Sequence, residues 1–109
     1  MKESQNPVEY LIRLSPDDRY RHTHTKRGGR IIRFRIQLET RINKIWYPVV
    51  RYDTAHGFAH RDLLDKYGDA MKTPLFNQNY NDALTFAEHD LKINWEHYKE
   101  KFLEDFYEK

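Results

Sequence analysis

The fold is decided by residues 30–42, RIIRFRIQLETRI, in which apolar and polar side chains alternate. The apolar set comprises Ile32, Phe34, Ile36, Leu38 and Ile42. The polar set comprises Arg33, Arg35, Gln37, Glu39 and Arg41. A period of two is that of a β-strand with one buried face. It predicts an antiparallel strand whose polar face is open to solvent.

The dipeptide Gly28-Gly29 precedes this strand. It predicts a two-residue hairpin turn, because such turns need positive φ angles that glycine adopts readily. We expect the preceding strand to pair directly across the turn, with His24 facing Arg33 and His22 facing Arg35. The polar face of the hairpin would then carry Tyr20, His22, His24, Arg33 and Arg35.

A second aromatic and β-branched run, WYPVVRYD at residues 46–53, predicts the next strand. We expect a three-residue loop before it, because this register buries Trp46, Val50 and Tyr52. The same register leaves Arg51 and Asp53 on the polar face, beside Gln37 and Arg35. Pro48 has no N–H for the ladder, so it indicates a sheet edge or a bulge.

Residues 8–14 fit either a strand or a helical turn. After the strand at residues 46–53, the sequence predicts a short fourth strand near residues 58–64. A long helix follows it. Asn79 or Asn81 can cap the helix, which should end near Tyr107. Its apolar stripe steps by three or four residues through Leu84, Ala87, Leu91, Trp95, Tyr98, Phe102 and Phe106. The sequence therefore predicts one α+β domain over residues 1–109, with residues 1–6 disordered. Its architecture is an antiparallel sheet of about four strands packed against one long C-terminal helix.

Charge is distributed unevenly along the 109 residues. Residues 13–61 contain twelve Lys or Arg against four acids, whereas residues 78–109 contain four against eight. The basic half indicates an anionic partner. No run is apolar enough for a membrane span or a signal peptide, so we expect a soluble cytoplasmic protein without membrane contact. A long helix overhanging a small sheet also suggests a homodimer, with the far end of the helix meeting a second subunit.

The chemistry available is limited, because the chain has no cysteine and no phosphate-binding glycine loop. Imidazole can take a proton from a ribose 2′-hydroxyl and return one to a leaving oxygen, while guanidinium stabilises phosphate charge. We therefore predict a metal-independent ribonuclease without cofactor, in which His56 and His60 are acid and base. Asp53 would orient an imidazole, and Arg51 and Arg35 would stabilise phosphate. The predicted nucleic-acid-binding residues are Arg21, His22, His24, Arg33 and Arg61.

Two alternatives stay open at this point. The basic face could belong to a module that binds nucleic acid, or mediates dimer formation, without catalysis. Alternatively, His22 and His24 could chelate a metal with His56 or His60 as third ligand. His89 and His97 lie off the apolar stripe of the helix and are expected to face solvent.

The run Arg51-Tyr52-Asp53-Thr54-Ala55-His56-Gly57-Phe58-Ala59-His60 resembles the R-Y-D-N-x-H-G-x-x-H signature of TumE-type toxins of prokaryotic toxin–antitoxin pairs. The chain is also similar to prokaryotic proteins that share its H-x-H hairpin and the run VVRYDTAHGFAHRD. Thr54 replaces the usual Asn, and Arg61-Asp62 follows His60 in place of further histidine. The resemblance covers the middle third of the chain. It implies action on RNA and a cognate antitoxin protein as partner.

Overall fold

The computed structural model describes residues 6–75 and 79–108, which form an antiparallel sheet packed against one helix. Six strands follow one another in chain order across the sheet of this described part. They are β1 (Val8–Ser15), β2 (Asp18–Arg27), β3 (Arg30–Ile42), β4 (Ile45–Asp53), β5 (His60–Leu64) and β6 (Ala70–Pro74), followed by helix α1 (Tyr80–Phe106). The predicted α+β class is confirmed. The expected count of about four strands is too low.

Both edge strands account for the difference, because the sequence left β1 undecided and did not predict β6. The ambiguous segment at residues 8–14 is a strand, and β6 has too few large apolar residues to show a clear alternation. The expectation of disorder at residues 1–6 falls mainly on residues 1–5, which lie outside the described residues. Within the described ranges, no helix combines the length and apolarity needed to cross a membrane.

The β2–β3 hairpin has the predicted turn but not the predicted register. Gly28 and Gly29 both adopt positive φ, 57° and 75°. The register then shifts: Lys26 pairs with Ile31, but Thr25 pairs with Arg33. Ile32 is therefore an extra residue in β3, a β-bulge that reverses which side chains share a face.

This bulge overturns the predicted polar face of the hairpin. His24 lies opposite Phe34 and His22 opposite Ile36, on the side of the sheet that α1 covers. Tyr20 pairs with Leu38 on that same side. The shared surface predicted for these residues with Arg33 and Arg35 is therefore wrong.

The β3–β4 hairpin reaches the predicted pairing by a different route. Its loop is the two-residue Asn43-Lys44, with φ of 51° and 69°, so the three-residue loop is wrong. Val49 is instead an extra residue next to Pro48, as the proline indicated. Beyond this bulge, Arg51 pairs with Gln37 and Asp53 with Arg35, as predicted.

Trp46 lies before the bulge and does not take its predicted place among the buried residues. It pairs with Arg41 on the side of the sheet away from α1. The guanidinium carbon of Arg19 lies 3.8 Å from the centre of its indole ring. Trp46 is therefore half-buried and makes a cation–π contact with Arg19.

The sheet consequently has two distinct faces. We call the side covered by α1 the helix face, and its core includes Tyr20, Phe34, Ile36, Leu38, Val50, Tyr52, Leu84, Ala87, Leu91 and Phe102. We call the other side the open face. The strands place ten cationic side chains on it: Arg13, Arg19, Arg21, Arg27, Arg30, Arg33, Arg35, Arg41, Arg51 and Lys72.

Helix α1 follows its predicted pattern closely. Asn79 caps it by accepting a hydrogen bond from the backbone N–H of Asp82 at 2.8 Å. Asn81 accepts one from the N–H of Ile31 at 3.1 Å, which ties the start of the helix to β3. At the far end Phe106 packs on Tyr47, with ring centres 5.1 Å apart. The helix end thus contacts the chain's own sheet.

The core contact of the helix can be tested with two substitutions on the same element. Leu91 is 1% exposed and Ile93 is 63% exposed. We expect Leu91→Ala to lower the free energy of unfolding by about 2–5 kcal/mol, because it removes buried methyl groups and leaves a cavity. Ile93→Ala should change it by less than about 0.5 kcal/mol. Urea unfolding of both variants measures the difference, and equal losses would contradict this packing.

Candidate functional site

The candidate site lies on the open face, where β4, β5 and β6 bring charged side chains together. Antiparallel pairing places Asp53 opposite His60 and Arg51 opposite Asp62. Lys72 of β6 pairs with Asp62 on the same face. Opposed residues of paired strands share a face, so the ladder itself assembles this cluster.

His60 is the buried centre of the cluster, with only 1% of its surface exposed. Its Nε2 atom lies 2.8 Å from Oδ1 of Asp53 and 3.5 Å from Oδ2 of Asp62. Lys72 Nζ lies 3.3 Å from the same Nε2. The other ring nitrogen, Nδ1, lies 3.3 Å from the carbonyl oxygen of Phe58. The imidazole is therefore held on both sides and is enclosed by its neighbours.

Arg35 connects this buried centre to the solvent. Its Nε and Nη2 atoms lie 3.1 and 3.0 Å from Oδ2 of Asp53, while about half of its side chain, 53%, stays exposed. Asp53 therefore uses one oxygen for Arg35 and the other for His60. The backbone N–H of Ala55 also donates to Asp53 at 3.2 Å, which anchors the loop that follows β4.

That loop, residues 54–59, presents His56 at the surface. Gly57 takes a φ of +82°, which bends the chain between His56 and Phe58. Both rings flank the buried imidazole: the centre of His56 lies 5.6 Å and that of Phe58 5.4 Å from the centre of His60. His56 and Phe58 are exposed, so they are the ring surfaces of the cluster that a ligand can reach.

A shallow depression of about 330 Å³ lies next to this loop. Its lining residues are Thr23, Arg33, Phe34, Arg35, Asp53, Thr54 and Ala55. Thr54 accepts a hydrogen bond from the backbone N–H of Phe34 at 3.2 Å, which joins the loop to β3. Two arginines, Arg33 and Arg35, therefore border this depression, and the hydrogen bond of Thr54 ties its rim to β3.

A second ionic cluster continues the open face toward β2. Glu39 is buried and pairs with Nε of both Arg19, at 2.7 Å, and Arg21, at 3.1 Å. Gln37 donates to Glu39 and accepts from Arg51, at 2.7 and 2.8 Å. Arg51, which was predicted to stabilise phosphate, is thus held by the side-chain amide of Gln37, the residue next to Arg35 on the open face of β3.

The predicted site residues therefore divide between the two faces. The structure brings together Asp53, His60, Arg35 and His56, with Arg33, Arg51 and Arg21 on the same open face. It separates His22, His24 and Arg61, which lie on the helix face. The structure therefore does not place these three on one surface with Arg21 and Arg33, and their binding of nucleic acid stays a prediction.

The helix-face histidines form a cluster of their own against α1. His22 Nε2 lies 2.7 Å from His24 Nδ1, and its Nδ1 lies 3.0 Å from the hydroxyl of Tyr10 and 3.3 Å from Glu88. The sheet separates them from His56 and His60, so the metal set suggested by sequence is not assembled. Across residues 6–75 and 79–108, no three His, Asp or Glu side chains are arranged to hold a metal ion.

Arg61 joins a network that fastens α1 to the sheet. Its Nη1 atom donates to the hydroxyl of Tyr98 at 3.0 Å, and that hydroxyl donates to Asp90 at 2.6 Å. The buried hydroxyl of Tyr52 also donates to Asp90. Burial alone would raise the pKa of Asp90, but the hydrogen bonds from Tyr52, Tyr98 and Asn94 hold it below its ordinary value. These hydrogen bonds hold α1 against the sheet.

Comparison with known proteins assigns the chain to a family. A family model described as a domain of unknown function, DUF7718, matches residues 1–106. The chain belongs to this family. No curated protein and no solved structure matches it. The DUF7718 assignment names no activity, so function has to be argued from the site itself.

Sequence reasoning missed Lys72 and the supporting role of Glu39 in this DUF7718 domain. Glu39 sits at a polar position of the β3 alternation, so the pattern placed it on the correct face. Its pairing with two arginines depends on the register of β2. Lys72 lies on β6, which the sequence did not predict as a strand. Both contacts come from strand pairing, which alternation alone does not specify.

The two neighbouring histidines of the helix face, His22 and His24, predict a pH dependence of stability. Burial lowers the pKa of His22 below the ordinary value of 6.5, with His24 adding to this and Glu88 opposing it. Burial and Lys26 likewise lower the pKa of His24. Protons therefore bind more readily to the unfolded chain, and this contribution to stability is lost as the pH falls below 6.5.

We expect urea unfolding to show a lower midpoint at about pH 5.5 than at about pH 7.5. The variant His24→Gln should show a smaller difference between the two pH values. His89→Gln, at an exposed position of α1, is the matched control. An equal difference in the wild type and His24→Gln would show that His24 does not contribute.

Proposed function

We propose that this protein binds single-stranded RNA on its open face and cleaves it without a metal ion, with His56 as the proton-transfer group. The observation that carries the proposal is the arrangement of Arg35, Asp53, His60 and His56. In this arrangement a half-exposed guanidinium, a carboxylate, a buried imidazole and an exposed imidazole lie in consecutive contact. It sits at the border of a cavity on a strongly basic surface.

The charge of the open face supports an anionic ligand. Its strands carry ten Lys or Arg, against four carboxylates: Glu9, Glu39, Asp53 and Asp62. Three of these carboxylates are buried in ionic contacts, so the exposed charge is mainly that of arginine. Guanidinium groups match phosphate oxygens in geometry and charge, which favours a phosphate backbone as ligand.

The exposed rings support an unpaired nucleic acid rather than a duplex. Phe58 is 40% exposed, and both it and the exposed His56 have their rings against that of His60. Aromatic and imidazole faces stack on splayed bases, which single strands present and duplexes do not. Arg33 and Arg35 border the neighbouring cavity, where they could hold the phosphates that flank such a base.

The cleavage step follows from the same groups. His56 accepts the proton of the ribose 2′-hydroxyl, whose oxygen attacks the adjacent phosphorus. The bond from phosphorus to the 5′-oxygen breaks, and His56 returns the proton to that oxygen. The products are a 2′,3′-cyclic phosphate and a 5′-hydroxyl. Arg35 stabilises the charge that develops on the phosphate, while Asp53 and His60 hold Arg35 and the loop in place.

His60 has a different role from the one expected from sequence. Its enclosure by Asp53, Asp62, Lys72 and Phe58 keeps it from contacting a substrate. We therefore propose it as a positioning residue rather than as acid or base. In this proposal His56 acts both as the base that takes the proton from the 2′-hydroxyl and as the acid that returns it to the 5′-oxygen.

The resemblance of residues 51–60 to TumE-type toxins agrees with this proposal. It adds a cognate antitoxin protein as partner and a cytoplasmic location, where both RNA and an antitoxin would be present. A non-catalytic RNA-binding module is the second candidate, favoured by the burial of His60. The following two experiments distinguish the two candidates.

Cleavage is tested by incubating the purified protein with unstructured RNA in excess EDTA. We expect cleavage by the wild type, and a reduction of about 10²–10⁴-fold in His56→Ala, because proton transfer contributes this much. His89→Ala removes an exposed histidine from α1 and should cleave like the wild type. Intact RNA with the wild type, with and without Mg²⁺, would exclude the ribonuclease and leave the binding module.

Binding is tested by titrating labelled single-stranded RNA at several salt concentrations. Arg33→Ala should weaken binding and reduce the salt dependence, d log K/d log[salt], by about 1, because one phosphate contact is lost. Lys92→Ala, an exposed cation on α1, is the control and should leave both unchanged. Equal effects of the two variants would place the RNA away from the open face.

A further inference from the structure

The two edges of the sheet differ in how they are protected from pairing with another strand. The β6 edge has only five residues, and these include Lys72 and Pro74, which disfavour further pairing. The β1 edge has eight residues, VEYLIRLS, with neither lysine nor proline. An edge strand of this length and composition offers unpaired backbone groups to a partner strand.

The side chains of β1 are unusually exposed for their apolarity. Val8 is 48%, Tyr10 42%, Leu11 42% and Ile12 36% exposed. Helix α1 lies over β3 and β4 and does not extend over this edge. Exposed apolar side chains on both faces of an uncovered edge strand indicate an interaction surface.

The charges of β1 show what kind of partner this surface fits. Glu9 lies opposite Thr23, and Arg13 lies opposite Arg19, a like charge. Within residues 6–75 and 79–108, neither Glu9 nor Arg13 makes an ion pair. Both side chains are on the open face and flank Leu11 at equal spacing. A strand that presents the complementary charges in reverse order would neutralise both.

We propose that this strand is β1 of a second copy of the chain, paired antiparallel about a two-fold axis through Leu11. In this register Leu11 faces its own copy, Tyr10 faces Ile12, Val8 faces Leu14, and Glu9 faces Arg13. Symmetry forms each unlike pair twice, as in other isologous interfaces. Cross-strand pairs of opposite charge and of apolar residues both stabilise a sheet.

The two nearest registers that also keep the helices of both copies on one side of the joined sheet do not pair Glu9 with Arg13. An axis through Tyr10 places Glu9 opposite Leu11, and an axis through Ile12 places Leu11 opposite Arg13. The Leu11 register joins the two sheets into one and makes their open faces continuous. The inference rests on β1 alone and is independent of the proposed activity.

The first test measures the molar mass in solution by light scattering and sedimentation. The wild type should form a dimer whose fraction rises with concentration up to about 1 mM. Glu9→Arg and Arg13→Glu should each shift the protein to monomer, because each places like charges across the axis twice. The double variant with both substitutions should recover the dimer. Glu96→Arg, an exposed charge reversal on α1, should leave it unchanged.

A wild-type monomer throughout this range overturns the proposal. So does a double variant that stays monomeric while its circular dichroism matches that of the wild type. A dimer that is insensitive to both single variants would place the interface elsewhere, and also overturns it.

The second test fixes the register and uses the absence of native cysteine. Leu11→Cys places two thiols opposite each other on the two-fold axis, at a spacing that strand pairs allow for a disulfide. Mild oxidation should convert this variant to a covalent dimer. Tyr67→Cys, at a position 77% exposed, should cross-link much more slowly. Equal cross-linking rates would refute the pairing at Leu11.

Discussion

The register of β3 with its two neighbours is the constraint on which the rest of the structure depends. Each hairpin has a two-residue turn with positive φ angles, and each then contains one extra residue, Ile32 or Val49. Because side chains alternate between faces, a shift of one residue moves every later side chain to the other side. The bulge at Ile32 sends His22 and His24 toward the helix. The bulge at Val49 keeps Asp53 on the open face.

The open face is polar, yet it contains some of the least exposed titratable side chains of the described residues. Asp53, His60 and Asp62 are each at most 5% exposed, and Glu39 is 6% exposed. Removing such groups from water is costly unless each is paired and hydrogen-bonded. Here Arg19 and Arg21 pair with Glu39, Arg35 with Asp53, and Lys72 with Asp62, at N–O distances between 2.7 and 3.7 Å. The contacts of Asp53 that offset the cost of its burial include the N–H of Ala55, so they also hold the loop that carries His56.

The helix face uses polar contacts in a different way. Asp90 of α1 accepts from the hydroxyls of Tyr52 and Tyr98, and Lys99 pairs with the buried Asp18 at 2.7 Å. These bonds lie beside the apolar core, so they specify how α1 sits along the sheet, whereas burial of leucine and phenylalanine supplies most of the stabilisation. The helix is therefore positioned over β3 and β4, and the edge at β1 is left uncovered.

The sequence by itself determined the elements with strong local signals. The alternation in residues 30–42, the Gly28-Gly29 turn, a helix cap at Asn79 or Asn81 and the stripe through Leu91 each predicted what the structure contains. These signals are local because each depends on neighbours within one strand, turn or helix. The placement of Asp53 beside Arg35 was also predicted, since a register shifted by one residue would have put Arg51 and Asp53 on the apolar face.

Only the tertiary structure decided which side chains share a surface. The bulge at Ile32 has no distinctive residue, so pairing directly from the glycine turn gave His22 and His24 the wrong face. The enclosure of His60 depends on β6, a strand too short and too polar to be predicted. Alternation specifies two faces of a strand but not which face meets the helix or which residue is extra. Which face meets the helix, and which residue is extra, depends on packing between strands that are distant in sequence. This packing sets the surroundings of the histidines in the sheet.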